Sequence, residues 1–132
     1  VVFLNESIKI DIIKKLLSDY KIEEKIDIKN SRLTPGNYLK YNKIILDEKI
    51  NINDELILNL EKLLKLNKVK KDTDYINFAI YLIDQYYYKK SINSTNINLL
   101  NNKRINIIRK IHDTSNLNLN QTNLLVEIEN YI

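Results

Sequence analysis

The segment TDYINFAIYLIDQYYYK, residues 73–89, is apolar around most of its circumference when it is wound as a helix. Two apolar stripes run along it at helical spacing. The first stripe contains Ile76, Ala79, Ile80, Ile83 and Tyr87, and the second contains Tyr75, Phe78, Leu82 and Tyr86. Only a narrow strip through Asn77, Asp84 and Gln85 is polar. A helix of this kind packs against two or more neighbours, so we expect it to be the central helix of the domain.

Amphipathic patterns on both sides of this segment predict further helices. Residues 7–20 repeat an apolar side chain every four positions, and Asn5 or Ser7 is the expected N-cap. Leucines repeat at helical spacing from residue 56 onwards. The predicted segments are a helix over 7–20, a helix that begins at 54, a weaker helix over 97–111, a polar loop over 113–116 and a last helix over 124–132.

Residues 26–48 are the ambiguous part of the chain. Ile26-Asp27-Ile28 alternates as a strand does, and residues 38–46 are rich in β-branched and aromatic side chains. Between them lies Thr34-Pro35-Gly36-Asn37, which is typical of a type II turn. The first interpretation is a small β-hairpin that lies against the helices, because a lone hairpin is only marginally stable. The second is an irregular loop.

Together these patterns predict a mainly α protein. We expect a compact bundle of four to five helices around the central helix 73–89, with the small β-hairpin at 26–48. An α+β fold is the fallback if 26–48 pairs more extensively. The length suits a single helical domain, 1–132. The Ile/Asn/Lys bias suggests an AT-rich genome, and because the chain has no Met we expect it to be trimmed or a fragment of a longer chain.

The residues that are rare in this chain limit its chemistry. It contains one Gly, one His and no Cys. A glycine-rich phosphate loop, a cysteine nucleophile, a disulfide and a Cys/His metal cage are therefore excluded. We expect no cofactor and no bound metal, and the absence of disulfides favours an intracellular location. The longest near-apolar run, 75–88, is too short for a membrane span.

His112 is the only side chain whose ordinary pKa lies near neutral pH. If the chain is an enzyme, such as a small nuclease or toxin domain, His112 is the candidate general base, with Asp113 beside it. The favoured interpretation is structural, because an imidazolium near the end of a helix interacts favourably with the helix dipole. We therefore expect that the protein is not an enzyme.

Tyrosines beside cations are suited to nucleic acid, because aromatic rings stack on bases and cations contact phosphates. Residues 86–90 read Tyr-Tyr-Tyr-Lys-Lys. The candidate phosphate-binding residues are Lys89, Lys90, Lys103, Arg104, Arg109 and Lys110. A net charge of +4 is low for a dedicated duplex binder. An RNA-associated module of a ribonucleoprotein is therefore the alternative hypothesis.

The favoured hypothesis is a non-catalytic protein–protein interaction or assembly module, which acts as a helical scaffold within a larger complex. The central helix carries more apolar surface than one small domain is expected to cover. Tyrosine is enriched in interfaces, so the candidate partner-binding residues are Tyr81, Tyr86 and Tyr88. We expect Tyr81 and Tyr88 to be exposed, and the partner to be another protein or a second copy of the chain.

Overall fold

The structure, a computed structural model, describes residues 5–117 and 120–132, and these residues form six helices and no strand. The helices are α1 (Glu6–Asp19), α2 (Pro35–Asp47), α3 (Leu56–Lys70), α4 (Thr73–Ile92), α5 (Ile97–Leu117) and α6 (Gln121–Tyr131). The prediction of a mainly α protein is confirmed. None of these helices combines the length and the hydropathy that crossing a bilayer requires.

The chain divides into two compact units, the first ending at Ile50 and the second beginning at Asn51. The first unit contains α1 and α2, and the second contains α3 to α6. The expected single domain, and the expected bundle of four to five helices around 73–89, stay predictions.

Side-chain caps explain where four of the helices begin. Asn5 Oδ1 accepts a hydrogen bond from the Ile8 amide at 2.8 Å, and Asp72 Oδ1 accepts one from the Asp74 amide at 2.9 Å. Thr34 and Asn120 cap α2 and α6 in the same way. Each cap gives a partner to an amide that the first turn of a helix leaves unpaired.

The β-hairpin expected at 26–48 is wrong, because Pro35-Gly36 begins a helix. Thr34 Oγ1 accepts from the Asn37 amide at 3.2 Å, which places Pro35 at the first helical position. Proline fits there because that position needs no amide donor. A type II turn would require a positive φ at Gly36, and Gly36 does not have one. Residues 38–46 are helical, and Tyr38, Tyr41, Ile44 and Ile45 are buried along one side of α2.

The alternation at Ile26-Asp27-Ile28 belongs to an irregular segment between α1 and α2. Ile26 and Ile28 are buried and Asp27 is exposed. Asn42 Oδ1, on α2, accepts from the amides of Lys25 at 2.7 Å and Ile26 at 3.2 Å. Asn42 Nδ2 donates to the Glu23 carbonyl at 2.8 Å. One buried amide thus replaces the partners that a strand would have supplied.

Tyr38 adds a second bond from α2 to the same segment. Its ring is fully buried, and its hydroxyl donates to the Ile26 carbonyl at 2.6 Å. Because buried backbone groups need partners, Tyr38 and Asn42 together hold the buried segment in place. The core of the first unit is completed by apolar residues of both helices, including Ile13, Leu17 and Ile45.

In the second unit each helix packs on the next, and α6 packs on α3. Two residues separate α3 from α4, four separate α4 from α5, and three separate α5 from α6. Connections this short make successive helices antiparallel. As a result α3 and α6, the first and last helices of the unit, are also antiparallel to each other.

The core of the second unit is almost entirely apolar. Both stripes of α4 contribute to it, because Phe78 of one stripe and Ile83 of the other are fully buried. The other fully buried apolar side chains are Leu60, Leu63, Leu64, Ala79, Ile107, Ile111 and Ile128. The polar loop expected at 113–116 is wrong: α5 continues through it to Leu117, and Thr114 is buried there.

Lysines occupy the left-handed positions that follow three helices. Lys21, Lys49 and Lys71 have φ of 53°, 53° and 52°. A Schellman motif follows both α1 and α2. After α1 the Ile22 amide donates to the Leu17 carbonyl, and after α2 the Ile50 amide donates to the Ile45 carbonyl. Glycine is the usual residue at such positions because it has no Cβ. Here lysine takes that place, and its charge suits the negative end of the helix dipole.

Candidate functional site

Helices α3 and α6 form an open groove along the surface of the second unit. Their inner faces contribute buried leucines and isoleucines to the core, including Leu64 and Leu124. Gln121, in the first turn of α6, donates from Nε2 to the Leu64 carbonyl at 3.0 Å. Because the two helices are antiparallel, this bond pairs the start of α6 with the C-terminal half of α3.

Both walls of this groove carry apolar side chains. Ile57 and Leu58 line it from α3, and Leu125 and Val126 line it from α6. Leu58 is 46% exposed and Val126 is 55% exposed, whereas Ile57 and Leu125 are half-buried. The space between the helices measures about 970 Å³. We name this surface, with the charged and polar residues that border it, the α3–α6 groove.

The charged residues of the α3–α6 groove are sorted along its length. Glu55 precedes α3 and Glu129 lies in the last turn of α6, so the antiparallel arrangement puts both carboxylates at one end. Lys65 and Lys68 lie at the other end. Glu61 lies between the two ends and forms an exposed ion pair with Lys65 at 2.9 Å. The groove therefore has carboxylates at one end and lysines at the other, with Glu61 near the middle and Leu58 one turn from Glu55.

The three tyrosines proposed for partner binding lie on α4, which does not line this groove. Tyr88 is exposed, as expected. Tyr81 is half-buried and stacks on Phe78 with ring centroids 6.3 Å apart. Tyr86 is half-buried and meets Tyr87 edge-on at 5.2 Å. Tyr81 and Tyr86 are thus partly taken up by packing, and Tyr88 is the exposed one of the three.

Tyr87 is the most deeply placed of the tyrosine run at residues 86–88. Its hydroxyl is buried and has no hydrogen-bond partner among the described residues. Burial raises the pKa of Tyr87 to about 12, and the neighbouring Tyr86 contributes in the same direction. The side chain is thus held as a neutral phenol within the apolar core.

The six basic residues proposed for nucleic acid are dispersed, and two of them pair with acids. Arg104 Nη1 lies 2.8 Å from Asp84 Oδ1, which links α5 to α4. Lys110 forms an ion pair with Glu127 of α6, and this hydrogen bond raises the pKa of Lys110.

The other four proposed cations belong to α4 and α5. Lys89, Lys90 and Arg109 are exposed and Lys103 is half-buried. Lys90 Nζ lies 4.8 Å from the centre of the Tyr86 ring, a cation–π distance.

His112 is exposed on α5 beside the exposed Asp113. In the described part of the chain, no group of three or more His, Asp or Glu side chains converges as a metal site requires. The candidate general base therefore lies on an open surface rather than in a pocket.

The residues of the α3–α6 groove were not identified from the sequence. The leucine stripe of α3 indicated the face that packs inward, and Leu58 falls outside that stripe. The available signal was an apolar excess: Ile57-Leu58 follows Leu56, and Leu125-Val126 follows Leu124. These extra apolar residues form a shared surface only where α3 and α6 pack together. That packing is a property of the tertiary structure.

Comparison with known proteins gives no relatives. No protein-family model matches the chain, and neither a curated protein nor a solved structure shows significant similarity to it.

Proposed function

We propose that the protein is a non-catalytic protein–protein interaction module. It is a helical scaffold, with α4 as its central helix, that acts within a larger complex. Its binding surface in this proposal is the α3–α6 groove. The observation that carries the proposal is the exposure of Leu58 and Val126 on the two facing walls of that groove. Exposed aliphatic side chains within a polar border are of the kind that interaction surfaces use.

The energetics of the groove support this proposal. Full burial of an aliphatic side chain contributes about 1.5–3 kcal/mol, and Leu58 and Val126 have gained only about half of that. A partner that covers both side chains would add the remainder. The charged ends would then orient the partner, since complementary charges contribute more to specificity and association rate than to affinity.

The proposal is tested by site-specific photocrosslinking. Because the chain has no cysteine, Val126→Cys provides a single attachment point for a benzophenone maleimide. In an extract of the source cells we expect a discrete crosslinked adduct, and we expect the second substitution Leu58→Lys to abolish it. Both positions are about half exposed, so the helical circular dichroism spectrum should be unchanged.

The matched control is Ile92→Cys, an exposed aliphatic position at the end of α4 and outside the groove. We expect no discrete adduct from this label. An adduct from Ile92→Cys equal to that from Val126→Cys, or none from Val126→Cys, would overturn the proposed binding surface.

A second candidate function is binding of single-stranded RNA at the end of α4. Lys89 and Lys90 are exposed there beside the exposed Tyr88. The chain contains no Asp or Glu between Asp84 and Asp113, so this part of the surface has a basic excess. Stacking on tyrosine and contact with phosphates would be the binding chemistry.

Salt dependence tests this second candidate. We expect an affinity for single-stranded RNA whose logarithm falls linearly with the logarithm of salt concentration. Lys89→Glu with Lys90→Glu should abolish it. Lys14→Glu with Lys15→Glu, an equally exposed lysine pair on α1, should not. No binding at low salt would exclude this function.

A further inference from the structure

We infer that the α4–α5 tip, the helical hairpin formed by residues 88–106, binds the surface of an anionic phospholipid bilayer. In this inference Ile92 and Ile97, which flank the turn of the hairpin, enter the bilayer interface. The lysines that lie farther from the turn contact the lipid phosphates. This binding goes beyond the interaction proposed for the α3–α6 groove and does not depend on it.

The α4–α5 tip extends past the other helices of the second unit. Helices α4 and α5 have 20 and 21 residues, whereas α3 and α6 have 15 and 11. The connections from α3 to α4 and from α5 to α6 lie at the opposite end of these antiparallel helices, so the additional length of α4 and α5 extends where they join each other. In agreement, no residue from 88 to 106 is buried, although Tyr87 and Ile107 on either side are.

The charged side chains of the α4–α5 tip are all positive. The tip contains four cations and no Asp or Glu. Lys89 and Lys90 are exposed on α4, and Lys103 is half-buried on α5. The fourth cation, Arg104, is paired with Asp84. A surface with this charge is complementary to anionic headgroups, which attract clustered cations close to the bilayer.

The aliphatic side chains at the end of the tip favour lipid over nucleic acid as the source of that negative charge. Ile92, the last residue of α4, is 66% exposed, and Ile97, the first residue of α5, is 58% exposed. Leu99 is also exposed. Bases stack on aromatic rings, whereas aliphatic side chains gain most from an apolar phase. Aliphatic side chains beside lysines are typical of segments that bind the bilayer interface.

The spacing of the two kinds of side chain along the helices fits the depth of the bilayer interface. Lys89 and Lys90 lie two to three residues before Ile92, and Lys103 lies six residues after Ile97. At about 1.5 Å per residue, these separations are about 3–9 Å. Interfacial segments bury their apolar side chains about 5–10 Å into the boundary between headgroups and acyl chains. With both isoleucines at that depth, the lysines lie at the level of the phosphates.

The polar turn between the two isoleucines is compatible with this position. Ser94 Oγ accepts a hydrogen bond from the Asn96 amide at 3.1 Å, and Asn96 Oδ1 accepts one from the Leu99 amide at 3.1 Å. Side chains of the turn thus supply partners to amides that would otherwise need water, which lowers the cost of moving the turn into the interface.

The opposite end of α4 provides a contrast. Val69, near the end of α3, is 79% exposed and lies between Lys68 and Lys70. Asp72 and Asp74 follow at the start of α4, and their carboxylates repel anionic lipid. Val69 is therefore the matched control: an exposed aliphatic side chain beside lysines, but with acids close by in the chain.

Vesicle sedimentation tests the inference on the purified full chain. The vesicles contain phosphatidylcholine alone or phosphatidylcholine mixed with phosphatidylserine. We expect binding to the mixed vesicles that weakens as the salt concentration rises, and no binding to phosphatidylcholine alone. Ile92→Ser with Ile97→Ser should weaken the binding at least about tenfold, whereas Val69→Ser should leave it unchanged. All three positions are exposed, so the helical circular dichroism spectrum should not change.

An environment-sensitive dye measures the position of the tip in the bilayer. A nitrobenzoxadiazole dye attached to Ile92→Cys should become brighter and emit at shorter wavelength on the mixed vesicles. The same dye attached to Val126→Cys, in the α3–α6 groove, should not change.

Four results would overturn the inference. They are no binding to the mixed vesicles at low salt, binding that the two serine substitutions leave unchanged, an equal loss with Val69→Ser, and a dye on Ile92→Cys that does not respond. If the mixed vesicles stay unbound while Lys89→Glu with Lys90→Glu abolishes binding of single-stranded RNA, the cations of the tip serve nucleic acid instead. The crosslinking test of the α3–α6 groove fails or succeeds separately, since Ile92 and Ile97 do not line that groove.

Discussion

The two compact units bury their polar side chains in different ways. In the first unit the buried Asn42 uses both atoms of its amide, and the buried Tyr38 hydroxyl has a carbonyl partner. In the second unit the buried Asn59 donates to the Asn51 carbonyl at 3.0 Å, but its Oδ1 has no partner among the described residues. The Tyr87 hydroxyl has none there either.

This difference follows from what each unit must hold together. The first unit buries an irregular segment whose amides and carbonyls lack helical partners, so directed hydrogen bonds are needed. The second unit buries helices that satisfy their own backbone, and apolar packing is sufficient. The buried polar groups of the first unit are therefore hydrogen-bonded at each polar atom named above, whereas those of the second unit are bonded only in part.

The strongest test of this contrast is Asn42→Ala. The substitution removes three hydrogen bonds and leaves backbone groups of a buried segment without partners, so we expect a loss of about 3 kcal/mol in the free energy of unfolding. Hydrogen exchange should accelerate most at the amides of Lys25 and Ile26. Asn37→Ala on the exposed face of the same helix should change the stability by less than about 0.5 kcal/mol. Equal effects at the two positions would refute the contrast.

Tyr38→Phe should give the next largest effect. It removes one buried hydroxyl and leaves the Ile26 carbonyl unpaired, which we expect to cost about 1–2 kcal/mol. Chemical denaturation of the two proteins measures the difference. A neutral result would mean that the bond from α2 to the irregular segment contributes nothing to stability.

Alkaline pH should reveal the burial of Tyr87. The pKa of its phenol is raised from 10.0 to about 12 in the folded chain, so between these values the unfolded state loses the proton first. The folded state then binds more protons, and stability falls as pH rises. Midway between the two values Tyr87 should account for about 1 kcal/mol of that fall. The loss should be smaller by this amount in Tyr87→Phe, compared by denaturation across the alkaline range.

At neutral pH the smallest effect is expected from Tyr87→Phe. Its hydroxyl has no partner to lose, so the substitution should leave the free energy of unfolding within about 0.5 kcal/mol or raise it. Tyr38→Phe is the matched comparison, because both changes remove one buried hydroxyl. Similar losses at Tyr38 and Tyr87 would show that the Tyr87 hydroxyl is hydrogen-bonded in solution.

Most of the helices could be predicted from the sequence, because apolar spacing records which face of a helix is buried. The starts of α1 and α4 lie within a residue or two of the expected positions for this reason. The hairpin was wrong because Pro-Gly serves both a turn and the first turn of a helix. The cap bond from Thr34 distinguishes them, together with the one-sided placement of Tyr38, Tyr41 and Ile45.

The candidate site was less predictable than the fold. Sequence patterns drew attention to the tyrosines of α4 because they are conspicuous, yet those rings lie partly within the packing of that helix. The groove arises where α3 and α6 meet, some sixty residues apart in the chain, and its charge order exists only once the two helices are antiparallel. A pattern within one helix contains no information about that pairing.

The lysines that close α1, α2 and α3 have a consequence for how this protein tolerates change. A left-handed non-glycine residue costs about 1 kcal/mol, so Lys21, Lys49 and Lys71 represent a reserve of thermal robustness that the fold has left unused. Glycine at these three exposed sites would relieve that strain, and the greater freedom of glycine in the unfolded chain would offset part of the gain. Whatever net stability remained would widen the range of destabilising substitutions that the chain can accept before it unfolds.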